Sequence, residues 1–387
     1  MDSLYIEYGR CSVNKHDESL CGDSCSLLRE AGGKLTAVLS DGLGSGVKAN
    51  ILSTLTATIL STLMARRLPV DECIETVAST LPVCKQRKLA YSTFTVLQIE
   101  DLQARLVQFD NPQAILLRGG KLKPYSSSVH FIGEKEIHES NIMLQEGDML
   151  VLMSDGVTNA GIGKLQPDGW PRQEVAAFLE QWYTPDATPQ RMAALLVDAC
   201  QSLCLDSPDD DITALVFQVR QRRAVNVMIG PPARPEDDAK ICRIFFSKEG
   251  LHLICGGSTA QVVGRYLGKS PVPQADTATD TVPACASMDG VDLVTEGIVT
   301  LQALTELAEK YAQDNRPSLE IHKGKDGVSR LGVLLFEQAS DINIFFGQAV
   351  NLAHDGLDIG FSQKSALVKR LSQALTDMGK NVKVSLC

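Results

Sequence analysis

Residues 34–46 read Lys-Leu-Thr-Ala-Val-Leu-Ser-Asp-Gly-Leu-Gly-Ser-Gly, an apolar run that stops at Asp41-Gly42 and passes into glycine-rich chain. A short apolar run bounded by turn formers predicts a buried strand, here over 34–40. Beyond it, 46–66 has helical length and apolar periodicity, and 71–86 predicts a second helix after Pro69. The same punctuation returns at 148–154, an apolar strand that ends in Asp155-Gly156. Between the two lie predicted strands at 92–99, 104–109, 113–118 and 121–125, separated by Asp110-Asn111-Pro112 and Gly119-Gly120. Strands this closely spaced imply antiparallel meanders rather than β-α-β units. Helices over 171–182 and 189–204 and a last strand over 212–220 complete this half.

The arginines at 220, 222 and 223 mark a change of pattern. From Val225 strand and helix alternate: strand 225–229, helix 235–246, strand 251–255, helix 258–267. The polar stretch 269–284, with Pro271, Pro273 and Pro283, reads as a loop or excursion. Helices at 297–312 and 362–378 flank strands at 330–337 and 342–347. The boundary is placed at residue 223, giving domains 1–223 and 224–387, the second a smaller α/β domain.

The chain has 387 residues and a formal net charge of -10, with 44% hydrophobic and 22% charged residues. That length suits two domains with real cores, and the composition is too apolar for wholesale disorder. The acidic balance argues against nucleic acid and against anionic lipid, both of which need clustered Lys and Arg. No run of uninterrupted apolar residues reaches the ~18 of a membrane span. The most apolar stretch, 50–65, is broken by Ser53, Thr54, Thr56, Thr58, Ser61 and Thr62. The start, Met-Asp-Ser-Leu-Tyr, lacks a signal peptide pattern, so a cytoplasmic location is expected. Eleven scattered cysteines read as reduced thiols. The six histidines are dispersed, without zinc spacing.

Chemistry gathers on aspartates at strand ends and turns. They are Asp23 in Gly22-Asp23-Ser24, Asp41 before Gly42, Asp155 before Gly156, and the run Asp209-Asp210-Asp211 before Ile212-Thr213. Hard divalent cations want oxygen ligands, and carboxylates at strand ends can converge across a sheet. Each motif alone is an ordinary turn or acidic cap. Together, each tied to an apolar strand, they point to a metal centre.

This set resembles the metal-dependent type 2C (PPM) serine/threonine protein phosphatases, in the bacterial branch typified by the sporulation phosphatase of stage II, protein E. Matching stretches are 22–24, 40–46, 147–156 and 209–213, with Phe109-Asp110-Asn111-Pro112 and Arg118-Gly119-Gly120-Lys121 also similar. The resemblance covers about residues 3 to 221. It implies an α+β fold, a four-layer α-β-β-α sandwich with two divalent ions, Mn²⁺ or Mg²⁺, at one edge. By the same resemblance Asp41 bridges both ions and Gly42 offers its backbone carbonyl to one. Asp155 and Asp210 hold the other ion, and Asp23 acts through water. Asp210 is chosen because the family's ligand stands two positions before the Ile-Thr. The arginine and histidine that eukaryotic members carry near the N-terminus have no counterpart here. The implied substrate is phosphoserine or phosphothreonine on a bacterial regulatory protein, such as an anti-sigma-factor antagonist.

Two other readings stand beside it: a catalytically silent binding protein with this fold, and a ligand sensor centred on 224–387 with the phosphatase as output. In the second domain, Cys255-Gly256-Gly257-Ser258-Thr259-Ala260 reads as a turn with a Ser/Thr N-cap, without the lysine of a phosphate loop. Asp289-Gly290 and Asp355-Gly356 read as turns. The open roles for 224–387 are ligand sensing, partner docking and homodimer formation.

Overall fold

The computed structural model describes residues 4–30, 33–80, 92–133, 135–313, 321–348 and 359–387. They fall into two compact units, Ile6–Arg220 and Gln221–Cys387, the second taking in the residues up to Tyr5.

The first unit holds two antiparallel sheets. One contains β2 (Asp23–Arg29), β3 (Leu35–Gly42), β4 (Ser92–Glu100), β5 (Gln103–Phe109), β9 (Lys135–Met143) and β8 (Ser128–Ile132), in that spatial order. The other contains β1 (Leu4–Val13), β11 (Ile212–Gln221), β10 (Met149–Met153), β6 (Ile115–Arg118) and β7 (Lys121–Leu122). Leu35 to Ser40 of β3 and all of β10 are buried on both faces, as inner layers of a sandwich must be. Helices α1 (Gly46–Ala65) and α2 (Val70–Thr80) cover the first sheet. Their Leu60, Met64, Cys73 and Ile74 share one core with Val38, Val96 and Val107. A short helix α3 (Asp155–Thr158) follows β10, and α4 (Arg172–Trp182) and α5 (Pro189–Leu203) complete the α+β, four-layer arrangement.

Helix α1 is long and apolar enough, by length and composition, to cross a bilayer. Its position explains both its apolarity and the hydroxyls that interrupt it. Ala57, Leu60 and Met64 are buried, while Ser53 Oγ donates to Ser24 Oγ at 2.8 Å. Ser61 and Ser26 hydroxyls pair at 2.8 Å. Ser53 and Ser61 thus bond to strand β2, while Thr56 Oγ1 is buried without a hydrogen-bond partner.

The second unit is a seven-stranded sheet. Its parallel centre is β16 (Val291–Thr295), β13 (Leu251–Cys255), β12 (Ala224–Ile229), β17 (Asp341–Phe346) and β18 (Asn381–Leu386). An antiparallel edge, β15 (Cys285–Met288) and β14 (Val272–Gln274), extends it. Helices α6 (Asp238–Phe246) and α7 (Gly257–Leu267) pack through Phe245, Ala260 and Val263 on one core. Helix α8 (Ile298–Gln313) and the helix Ile359–Asp377 pack through Leu301, Leu304 and Leu371 on another.

Several sequence expectations need correction. Residues 330–337 are helical, Gly327–Gly332 running into a π-helical turn Val333–Gln338. A short apolar run does not distinguish a strand from a buried helix. Here Asp326 caps the helix, accepting from the Val328 and Ser329 amides at 2.9 and 3.1 Å. Strand 121–125 shrinks to Lys121–Leu122, and the 269–284 excursion contains β14. Gly256, with φ +121°, stands at the N-cap of α7 and no side chain caps it, in place of the expected Ser or Thr. Asp155-Gly156 opens α3 rather than a simple turn. Helix α2 is described to Thr80; 81–86, like Asp355-Gly356, lies outside the described residues.

Candidate metal centre

Strand register brings the acids together. Asp23 and Asp41 are direct antiparallel partners across β2 and β3. Asp155 follows β10, which pairs with β11 so that Met153 faces Ala214, and Asp210 and Asp211 immediately precede β11. The junction is pinned both ways: the Ser154 amide donates to Thr213 carbonyl, and the Thr213 amide donates to Ser154 Oγ, each at 3.0 Å.

The glycines after two of these acids are required by space. A Cβ on Gly42 would stand 2.0 Å from the Ala49 carbonyl oxygen of α1, and one on Gly156 would stand 2.1 Å from the Asp211 carbonyl oxygen. Any side chain there would push α1 or the β11 entrance away from the acids.

The acids meet with little compensation. Asp23 is 6% exposed, and neither of its carboxylate oxygens has a hydrogen-bond partner; Asp155 Oδ1 is likewise buried and unpartnered. Burial pushes the Asp23 carboxyl well above the ordinary range, and the charges of Asp211 and Asp210 add to this. The Thr213 and Ser154 hydroxyls lie close enough to pull it partly back without forming hydrogen bonds to it. Asp41 is raised by burial first, then by the charges of Asp23 and Asp155, whose carboxyl is within hydrogen-bonding reach. Asp210 is pushed up to about 6 by burial and by Asp155. Like charges crowded in a low-dielectric site favour their protonated forms unless a cation joins them.

The acidic run divides its work. Asp209 is exposed and pairs with Lys164 at 2.8 Å. Asp210 and Asp211 both face the other acids. Asp211, 3% exposed, accepts the Lys15 amide at 3.1 Å and would collide with any Cβ on Gly22. Asp211, Ser154, Thr213 and Lys15 were not singled out from the sequence. Asp211 stood in plain view within the triple, but nothing local ranks three adjacent acids.

Other residues of the similar stretches are structural. Arg118 clamps Asp148 with Nε at 2.8 Å and Nη2 at 2.6 Å, and Asp148 also accepts the Gln145 amide at 2.9 Å. Asn111, next to Asp110, accepts from Thr93 Oγ1, and Thr93 is the β4 partner of Asp41.

Among the described residues, no three His, Cys, Asp or Glu side chains close into a finished metal-ligand set. The acids fit a divalent cation on different grounds. The donors are all oxygen, three of those oxygens are buried and orphaned, and the carboxyls repel one another.

Residues 31–220 match the family model of Stage II sporulation protein E (SpoIIE). This region is similar to the SpoIIE family of phosphatases. Stage II sporulation protein E of Bacillus subtilis (strain 168) is 23% identical over 222 residues, 56% of this chain and 26% of that protein. The Priestia megaterium protein of the same name is 22% identical over 220 residues, 56% of this chain and 36% of its own length. The chain therefore spans about a quarter to a third of the curated SpoIIE relatives it matches. Among solved structures, the PP2C phosphatase domain with a regulatory fragment of SpoIIE from Bacillus subtilis is 24% identical, with a TM-score of 0.48, covering 56% of this chain and 64% of that one. The family model covers just under half of the chain, and the relatives and the solved structure 56% of it.

Proposed function

We propose that this chain is a metal-dependent protein phosphatase that hydrolyses phosphoserine or phosphothreonine on a bacterial regulatory protein. The observation that carries this reading is the meeting of Asp23, Asp41, Asp155 and Asp210 from separate elements, with buried carboxylate oxygens left unpartnered. The SpoIIE family match over 31–220 supports it.

In this reading two divalent ions, Mn²⁺ or Mg²⁺, are held by Asp41, Asp155, Asp210 and the Gly42 carbonyl, with Asp23 acting through water. When bound, such ions neutralise phosphoryl charge and lower the pKa of water, so no covalent nucleophile is required of the protein. The chain's own contribution is positioning. The β2–β3 register sets Asp23 against Asp41. The Ser154–Thr213 bonds hold Asp155 beside the β11 entrance, and the Arg118–Asp148 clamp fixes the start of β10. Asp211, fastened to the Lys15 amide, keeps the neighbouring Asp210 in place.

The substrate we favour is a small phosphorylated regulatory protein such as an anti-sigma-factor antagonist, met in the cytoplasm, with residues 224–387 as a regulatory or partner-binding domain. The test is hydrolysis of p-nitrophenyl phosphate by the full chain with Mn²⁺, beside Asp41→Ala. Activity that needs metal and disappears in the variant supports the reading. Full activity in Asp41→Ala, or none in the wild type with either metal, rejects it.

A further inference from the structure

The Asp110-Asn111-Pro112 stretch has no part in holding metal, yet it lines the same open space as Asp155. A cavity of about 560 Å³ is lined by Asp155 and Thr158 together with Asp110, Glu136 and His138. That is the volume of an ordinary ligand cleft. Strand register explains the alignment. Asp41 pairs with Thr93, Phe94 with Phe109, and Gln108 with His138, so Asp110 and Glu136 fall at the same end of the sheet as Asp41. Glu136 in turn pairs with Phe131 of β8, which is 68% exposed. The bond from Thr93 Oγ1 to Asn111 ties the Asp110 loop to the strand beside Asp41.

Carboxylates outnumber cations in the cavity's lining. Its carboxylates are Asp110, Glu136 and Asp155. Its one arginine, Arg172, is committed to the chain itself, donating to the Gln113 and Ala114 carbonyls at 2.8 and 2.7 Å. His138 Nε2 lies 3.2 Å from Glu136 Oε1, and both side chains are about half exposed.

We propose that this cleft is the substrate track and selects phosphopeptides carrying Lys or Arg three to four residues from the phosphorylated side chain. The inference rests on the phosphatase reading above. Strands lie about 4.8 Å apart, so the step from β3 to β5 is about 10 Å and to β9 about 14 Å. An extended peptide advances about 3.3 Å per residue, which matches those spans with three and four residues. Asp110 and Glu136 then meet the basic side chain, and the exposed Phe131 offers an apolar stop one strand further on. A phosphate at one end and a cation at the other fix the peptide's direction, because the two ends of the track attract opposite charges.

The experiment uses the full chain with Mn²⁺ and three phosphoserine peptides that differ only in carrying Lys, Ala or Glu four residues from the phosphoserine. The wild type is assayed on p-nitrophenyl phosphate alongside. Exposed charge pairs contribute about 0.2–1 kcal/mol each, so two carboxylates predict a Lys-over-Ala preference in kcat/KM of about two- to thirtyfold. Glu136→Gln narrows the preference, and Glu136→Lys inverts it in favour of the Glu peptide. Inversion cannot arise from misfolding. Equal kcat/KM for all three peptides in an enzyme active on p-nitrophenyl phosphate overturns the track alone. An unchanged preference in Glu136→Lys does the same. Wild-type inactivity on p-nitrophenyl phosphate overturns the phosphatase reading and the track with it.

Discussion

Asp41-Gly42 in the first unit and Asp289-Gly290 in the second are the same dipeptide in different surroundings. Asp289 joins β15 to β16, its side chain 80% exposed, with Lys269 Nζ at 2.8 Å. That partner holds its carboxyl below the ordinary range. Asp41 is raised instead, by burial and by Asp23 and Asp155. The glycines differ as well: Gly290 is there for its positive φ of +89°, Gly42 because α1 leaves no room for a Cβ. Asp41-Gly42 closes strand β3, whereas Asp289-Gly290 turns the chain from β15 into β16. Only where several elements aim their acids at one place, without a cation of their own, does the dipeptide become part of a site for chemistry.

The largest expected difference between the two is in catalysis. Asp155→Asn is expected to lower Mn²⁺-dependent hydrolysis of p-nitrophenyl phosphate about a thousandfold or more, since in the proposed reading Asp155 is a metal ligand. Asp289→Asn, in the same assay, stays within about twofold of wild type. Comparable losses in both would dissolve the contrast. The glycines separate next, in urea unfolding. Gly42→Ala costs about 3 kcal/mol or more, because the α1 backbone must move. Gly290→Ala costs only about 1 kcal/mol, the strain of a left-handed alanine, with Leu267 Cδ1 at a comfortable 3.6 Å.

The smallest effect is on pH dependence. The folded-state pKa values of Asp23, Asp41 and Asp210 are raised, Asp210 to about 6, so the folded chain keeps protons that the unfolded chain releases above about pH 4. Stability from these groups is therefore present below about pH 4 and declines as pH rises through the folded values. In chelator the Tm should fall more steeply from pH 4 to 7 for wild type than for Asp41→Asn, and Mn²⁺ should flatten the wild-type slope. Parallel slopes in chelator would mean that the repulsion at Asp41 is not felt.

The sequence made the site more legible than its frame. Asp41 and Asp155 stand out because apolar strands run straight into them, and Asp23 and Asp210 because glycine or further acids flank them. The two strands that carry Glu136 and Phe131 went unread. Residues 135–143 place apolar side chains only at Ile137, Ile142 and Met143, without regular alternation, and 128–132 alternates only over Ser128 to Phe131, too short a run to announce a strand. The strand 135–143 joins the sheet by pairing with β5, whose residues lie 30 to 40 positions away, and 128–132 is added to it by the hairpin with 135–143. The helical turn at 330–337 was hidden for the opposite reason: Leu331 to Phe336 is apolar enough for either element, and the cap at Asp326 decides. What sets Asp211 apart from Asp210 is the Lys15 amide it accepts, a contact between residues 196 positions apart.

Divalent metal binding at the converged aspartates is the property on which the proposed activity depends. Isothermal titration calorimetry of the full chain with Mn²⁺ tests it most directly, run on wild type, Asp41→Asn and Asp289→Asn. We expect wild type and Asp289→Asn to bind alike and Asp41→Asn to bind at least ~10-fold more weakly. Equal binding by Asp41→Asn and wild type, or no binding by wild type, would contradict it.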